Sequence, residues 1–158
     1  DISALYESTG NASVFPRKVN RYVTVNGNRV DLDNQQYSDW QREAGQLSYD
    51  LAEQIVGSSM TDDQKAKYLS DAYSFAMAYT ANDLFDSSLS STYNKEVEIY
   101  NDGGSDLLAN WYYLKAMGDG SPSQEETKAI LDKMNISRAE KAILWEQTNS
   151  SWKTNPYK

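Results

Sequence analysis

The sequence predicts a mainly α-helical domain, a helical bundle of two longer and about three shorter helices with one small β-hairpin. Long stretches carry apolar residues at steps of three and four, which is the spacing of one buried helix face. Four Ser, Thr or Asp residues are each followed three positions later by Glu or Gln, the spacing of a capping box at a helix start. An Asn-Gly pair separates two short alternating segments, which is a strong signal for a hairpin turn.

Residues 21–32 are predicted to form the β-hairpin. Residues 22–25 and 29–32 alternate in polarity, and Asn26-Gly27 between them supplies the positive φ angles of a tight turn. The apolar candidates of the two strands are Val23, Val25, Val30 and Leu32. Because an isolated two-stranded hairpin is only marginally stable in water, we expect it to lie on the helices.

Residues 33–101 are predicted to form a helical hairpin followed by a linker. Asp33 and Thr61 are the predicted N-caps of the two longer helices, each with a Gln at capping-box spacing. We expect the first helix to end before Gly57 and the second to reach about Phe85. Since only a few residues join the two helices, they are expected to pack antiparallel.

Residues 86–105 leave two alternatives open. Residues 97–100 fit either a helix face or a strand, because periodicity does not decide over so short a run. Asn101-Asp102-Gly103-Gly104 then predicts a break in the chain. We therefore place a boundary here and treat residues 102–158 as a C-terminal subdomain of short helices.

The three short helices of this subdomain are expected to pack around Trp111 and Trp145. The first closes at Gly118-Asp119-Gly120, and the other two begin at Ser123 and Ser137, each with a Glu three positions later. The predicted core of the whole domain comprises Leu47, Leu51, Leu69, Tyr73, Ala76, Leu108, Leu114, Ile130 and Leu144.

Missing residue types limit the chemistry of the chain. It contains no cysteine and no histidine, which excludes Ser-His-Asp and Cys-His catalysis and Cys/His zinc sites within it. Carboxylates remain as candidates, either for glycoside hydrolysis or for a hard-metal site. The adjacent pairs Asp62-Asp63 and Glu125-Glu126 fall in predicted first helical turns, where the helix dipole favours negative charge. We therefore predict no catalytic residue, no cofactor, no metal ligand and no enzymatic activity.

The charge and hydropathy of the chain bear on its partners. A formal net charge of −8 argues against nucleic acid, because a phosphate-binding surface needs clustered Lys and Arg. The basic cluster of Arg17, Lys18 and Arg21 is interpreted as part of a solvated arm. No apolar run reaches the length of a membrane-spanning helix, so no membrane partner is expected.

The two ends of the chain supply the candidate contact surface. Residues 1–20 are predicted to be an N-terminal arm. The candidate contact residues are Ile2, Leu5 and Tyr6 in the arm and Trp152 and Tyr157 in the C-terminal tail. They lie outside the periodic helices, so each is expected either to pack on the core or to meet a partner. We hypothesise that the arm and the tail lie near each other.

Several different short sequence motifs are distributed along most of the chain. The first group comprises Ala4-Leu5-Tyr6-Glu7, Thr9-Gly10-Asn11, Val14-Phe15-Pro16, Tyr22-Val23-Thr24-Val25-Asn26-Gly27, Val30-Asp31-Leu32, Gln36-Tyr37, Gly45, Asp63-Gln64-Lys65-Ala66 and Ala72-Tyr73. The second comprises Lys141-Ala142-Ile143-Leu144-Trp145, Ser151-Trp152-Lys153 and Asn155-Pro156-Tyr157. Together they resemble a module of large minor virion proteins of phages and prophages of Gram-positive hosts, including tape-measure-like and internal virion proteins. The resemblance does not extend to residues 86–105.

The resemblance implies a structural role in or on a phage particle. It includes no catalytic signature, so no active-site residue is transferred. The predicted function is a non-enzymatic structural domain of a phage or prophage virion protein, in contact with other virion proteins or with itself. Its expected location is the virion, after synthesis in the bacterial cytoplasm. The alternative is a cell-wall (peptidoglycan) binding module or a carboxylate-based glycosidase.

Overall fold

The computed structural model describes residues 20–158, which form five α-helices and one two-stranded antiparallel sheet. The strands are β1 (Tyr22–Val25) and β2 (Asn28–Asp31). The helices are α1 (Asn34–Val56), α2 (Asp62–Phe85), α3 (Asn94–Gly118), α4 (Gln124–Lys133) and α5 (Arg138–Thr148), with a short 3-10 turn at Ser91–Tyr93. The predicted fold class is therefore confirmed. None of the helices in the described part of the chain is long and apolar enough to cross a membrane.

The hairpin turn follows directly from its two central residues. Asn26 and Gly27 have φ angles of 52° and 80°, the positive pair that a two-residue turn needs to match the twist of the strands. β1 faces α2 and buries Val23, whereas every residue of β2 is exposed. Val30, one of the predicted apolar candidates, is 40% exposed, as the rest of β2 is exposed.

All four predicted capping boxes are present, at Asp33, Thr61, Ser123 and Ser137. At Asp33, the backbone N–H of Gln36 donates to the Asp33 carboxylate at 2.8 Å. The backbone N–H of Asp33 donates in turn to the side-chain carbonyl of Gln36 at 3.0 Å. Each box satisfies two backbone N–H groups that a helix start otherwise leaves without partners. These contacts explain why the helix starts were readable from the sequence.

α1 and α2 form the expected antiparallel pair. Trp40, near the start of α1, donates its indole N–H to the carbonyl of Met77 near the end of α2, at 3.1 Å. At the other end, the Lys65 ammonium donates to the Val56 carbonyl at 2.7 Å. A second, smaller hydrophobic cluster around Trp40 packs the β-hairpin against the Trp40 end of the helix pair.

The main core brings together residues from all five helices and the tail. Seven predicted core residues are buried, namely Leu47, Leu51, Leu69, Ala76, Leu108, Leu114 and Leu144. Tyr73 and Ile130 are only half-buried, which corrects their assignment to the core. Further fully buried residues were not predicted: Phe75, Ile99, Leu107, Tyr112 and Leu131. Most of these lie on or against α3, whose length the sequence did not reveal.

α3 contains an interruption at Gly104, within the Asn101-Asp102-Gly103-Gly104 run where a break was predicted. Helical residues extend from Asn94 to Gly118, and two helical segments meet at a kink at Gly104, which has the non-helical angles φ 73° and ψ −161°. Glycine adopts this conformation without the steric cost that a side chain imposes. The chain therefore kinks at this point, and helical segments lie directly on both sides of Gly104. Residues 97–100, left open between helix and strand, are helical.

Candidate functional site

The predicted contact residues of the tail pack on the molecule itself. Tyr157 is 7% exposed, and its hydroxyl donates to the Asp132 carboxylate at 2.7 Å. The Trp152 ring lies 4.7 Å from the Trp145 ring, so Trp152 is only partly exposed. The arm candidates Ile2, Leu5 and Tyr6, and the hypothesised proximity of arm and tail, lie outside the described residues.

Electrostatics at Tyr157 agree with its burial. Its pKa is raised above the ordinary value of 10.0, first by burial and then by the hydrogen bond to Asp132. The pKa of Asp132 is lowered below its ordinary value of 3.8, chiefly by the hydrogen bond from Lys128 and then by that from Tyr157. The pair stabilises the fold at neutral pH, and Tyr157 offers little surface to a partner.

The tryptophans on the helices are also core residues. Trp40, Trp111 and Trp145 are all buried. A saccharide-binding platform needs exposed aromatic faces, and these three rings do not provide one. Surface contacts must therefore come from other residues.

A groove between α3 and α4 has mainly apolar walls. It encloses about 580 Å³ and lies beside the turn that follows α1. Its apolar side chains are Tyr113, Met117, Ala129, Ile130 and Met134, with Asn110 and Asn135 also lining it. We call this surface the apolar groove. Lys133 is the cationic residue that lines it.

A second depression, of about 730 Å³, shares Asn110 and Asn135 with the apolar groove. Its carboxylates come from three helices: Asp50 and Glu53 on α1, Asp106 on α3 and Glu140 on α5. We call this surface the acidic groove. A smaller depression of about 260 Å³ shares Asp50 and adds Glu43 and Asp83. No lysine or arginine among the described residues lines either depression.

The groove carboxylates accept hydrogen bonds from uncharged neighbours. Gln46 donates to Asp50 at 2.9 Å, Gln54 donates to Asp106, and the Ser137 amide donates to Glu140 at 3.1 Å. The ion pairs found within residues 20–158 use other carboxylates, at Asp31, Asp39, Asp71, Asp132 and Glu146. The negative charge of the acidic groove is therefore not neutralised by a cation of the described chain.

The carboxylates of the acidic groove can attract cations. Clustered charges of one sign in a concave surface raise the local concentration of oppositely charged groups. Across the part of the chain that the structure describes, no set of three carboxylates is arranged to hold a metal ion. A cationic group of a larger molecule is the better match to these spread carboxylates.

No family model matches the chain, and no curated protein or solved structure is significantly similar to it.

Sequence reasoning missed both grooves. On α3, Asp106, Asn110, Tyr113 and Met117 follow each other at steps of four, three and four, so they share one helix face. This face changes from acidic to apolar along the helix, and that change is the signal that could have located the site.

Proposed function

We propose that the chain is a non-enzymatic structural domain of a phage or prophage virion protein and acts through contacts with other virion proteins or with itself. The observation that carries this proposal is the apolar groove and its direct continuation into an acidic one. Tyr and Met, which line the apolar part, are enriched at protein interfaces. A surface of this kind suits a protein partner better than a small molecule, because it is open and extends over several helices.

Trp145, Asn155 and Tyr157, from the C-terminal motifs of the virion resemblance, make packing contacts in the structure. The Trp145 indole donates to the Thr154 carbonyl at 3.0 Å, and the Asn155 side chain donates to the Ala142 carbonyl at 3.0 Å. The Trp145 and Tyr157 rings lie 6.3 Å apart, edge to face. The C-terminal motifs thus close α5 with its tail, as expected of motifs that specify a structural module. This role supports the proposal.

Mass spectrometry of purified virions tests the proposal. The particles are prepared from the source host after prophage induction or infection, and peptides of the parent protein are quantified against the major capsid protein. We expect the parent protein to be present at a constant ratio across gradient fractions that contain intact particles. Its absence from such particles would contradict the proposal.

The acidic groove is the observation that favours the alternative, a peptidoglycan-binding module or a carboxylate-based glycosidase. Glycosidases place two carboxylates across a cleft, and here Glu53 and Asp106 line one depression. Purified peptidoglycan is incubated with the wild-type chain and with Glu53→Gln/Asp106→Asn. Release of reducing sugars by the wild type but not by the variant would establish the alternative. We expect neither release nor co-sedimentation.

A further inference from the structure

We propose that the apolar groove and the acidic groove form one docking site for a cationic amphipathic segment of a partner protein. This inference rests on the structural role proposed above and specifies the chemistry of its partner. The expected segment is a helix whose apolar side chains fill the apolar groove and whose Lys or Arg residues extend over the acidic one.

The two grooves are continuous along one face of α3. Asn110 and Asn135 line both of them, one from the helix and one from the connector between α4 and α5. From Asp106 to Met117 this face covers about 16 Å at the rise of an α-helix. A partner helix of about three turns matches that length.

The apolar groove is lined by flexible side chains that pack on the main core. Met117 and Ile130 are half-buried and pack on the main core, so one side of each is held while the other faces the groove. Tyr113 is placed by a hydrogen bond of 3.1 Å between its hydroxyl and that of Ser59. Methionine side chains adapt to the shape of an apolar ligand, which suits a groove that receives a helix.

Charge complementarity identifies the partner. Asp50, Glu53, Asp106 and Glu140 line the acidic groove without a cation, and the depression next to it adds Glu43 and Asp83. A neutral or acidic segment would leave these charges unpaired, whereas Lys and Arg would pair with them. The side chains lie at the surface, so screening by salt will weaken the attraction.

The probe is a fluorescein-labelled peptide of Leu and Lys at amphipathic helical spacing, titrated with the full chain at low salt and followed by fluorescence anisotropy. The groove variant combines neutral replacements that keep the local hydrogen bonds: Asp50→Asn, Glu53→Gln, Asp106→Asn and Glu140→Gln. The control removes the same number of charges outside the grooves: Asp62→Asn, Asp86→Asn, Asp119→Asn and Glu125→Gln. We expect the groove variant to bind about tenfold more weakly or worse, and the control to bind within about twofold of wild type.

A second pair of variants tests the apolar end. Ala129 is exposed and lines the apolar groove, so Ala129→Lys places a bulky cation there without disturbing the core. Ala139 is also exposed and helical but lies outside both grooves, so Ala139→Lys is its matched control. We expect Ala129→Lys to weaken peptide binding by about tenfold and Ala139→Lys to leave it near wild type.

Three outcomes would overturn the docking site: no binding of the peptide by wild type, equal loss in the groove and control variants, or no difference between Ala129→Lys and Ala139→Lys. A dimer that Ala129→Lys dissociates would assign the groove to a second copy and would overturn it too. These readouts are independent of the virion measurement. Absence of the parent protein from virions would leave the docking site standing, and failed docking would leave the virion role standing.

Discussion

The hydroxyl of Tyr157 donates a hydrogen bond of 2.7 Å to Asp132, and this bond joins the C-terminal tail to α4. Lys128 reaches the other oxygen of the same carboxylate at 2.7 Å. Asp132 is therefore shared between a partner on its own helix and one in the tail. The tail is therefore attached to the helices by the hydrogen bond of the Tyr157 hydroxyl as well as by the packing of its aromatic rings.

Tyr157→Phe removes this hydrogen bond and keeps the ring. We expect a loss of about 0.5–1.5 kcal/mol in the free energy of unfolding, as for other intramolecular hydrogen bonds. Urea denaturation followed by tryptophan fluorescence measures it. Tyr49→Phe is the control. Because Tyr49 is 52% exposed, we expect the free energy of unfolding of this variant to equal that of wild type. Equal stability of the two variants would show that the bond contributes nothing.

The stability difference between wild type and Tyr157→Phe should depend on pH at both extremes. The pKa of Asp132 is lowered in the folded state, so its contribution is present above its ordinary value of 3.8 and is lost as the pH falls below it. The pKa of Tyr157 is raised, so its contribution is present below 10.0 and is lost as the pH rises further. Denaturation at a series of pH values should show a plateau between these limits. A stability difference between wild type and Tyr157→Phe that increased in acid would contradict the predicted pH dependence.

Leu51→Ala tests the main core. Leu51 is 0% exposed, and truncating it should reduce the free energy of unfolding by about 2–5 kcal/mol. Tyr49→Ala, two positions earlier on the exposed side of α1, should cost less than about 0.5 kcal/mol. The midpoints of urea denaturation compare the two variants directly. A loss below about 0.5 kcal/mol for Leu51→Ala would refute its place in the core.

Two glycines in helices should respond to alanine in opposite directions. Gly104 has φ 73°, so Gly104→Ala should destabilise the fold by about 1–3 kcal/mol. Gly45 is exposed within α1, and a side chain there would meet nothing, so Gly45→Ala should stabilise by up to about 1 kcal/mol. Thermal unfolding followed by circular dichroism measures both. Stabilisation by Gly104→Ala would mean that α3 does not bend at this residue.

Features with local causes were predictable from the sequence. The hairpin turn depends on Asn26 and Gly27 alone, and each capping box depends on residues three positions apart. Such signals need no knowledge of the rest of the fold. The helix starts and the turn were therefore predicted correctly.

Features that depend on tertiary packing were not predictable in the same way. The Asn101-Asp102-Gly103-Gly104 run predicted the interruption at Gly104, but residues 97–100 before it could not be assigned to helix or strand from the sequence and are helical. Lys95 donates to the Gln147 carbonyl at 2.9 Å, and Tyr79 donates to Asn101 at 3.1 Å. The acidic groove likewise joins residues of three helices that are far apart in sequence. Its geometry follows from how the helices pack.

The bend at Gly104 makes α3 a cooperative link between the two ends of the molecule. Ile99 before the bend and Leu107 after it are both fully buried in the main core. Neither the α1–α2 pair nor the α4–α5 pair can open without exposing one segment of this helix. The amide protons of α5 should therefore exchange with solvent through the same global opening as those of α1. We therefore expect the described residues to unfold as a single unit, although the chain is kinked at Gly104.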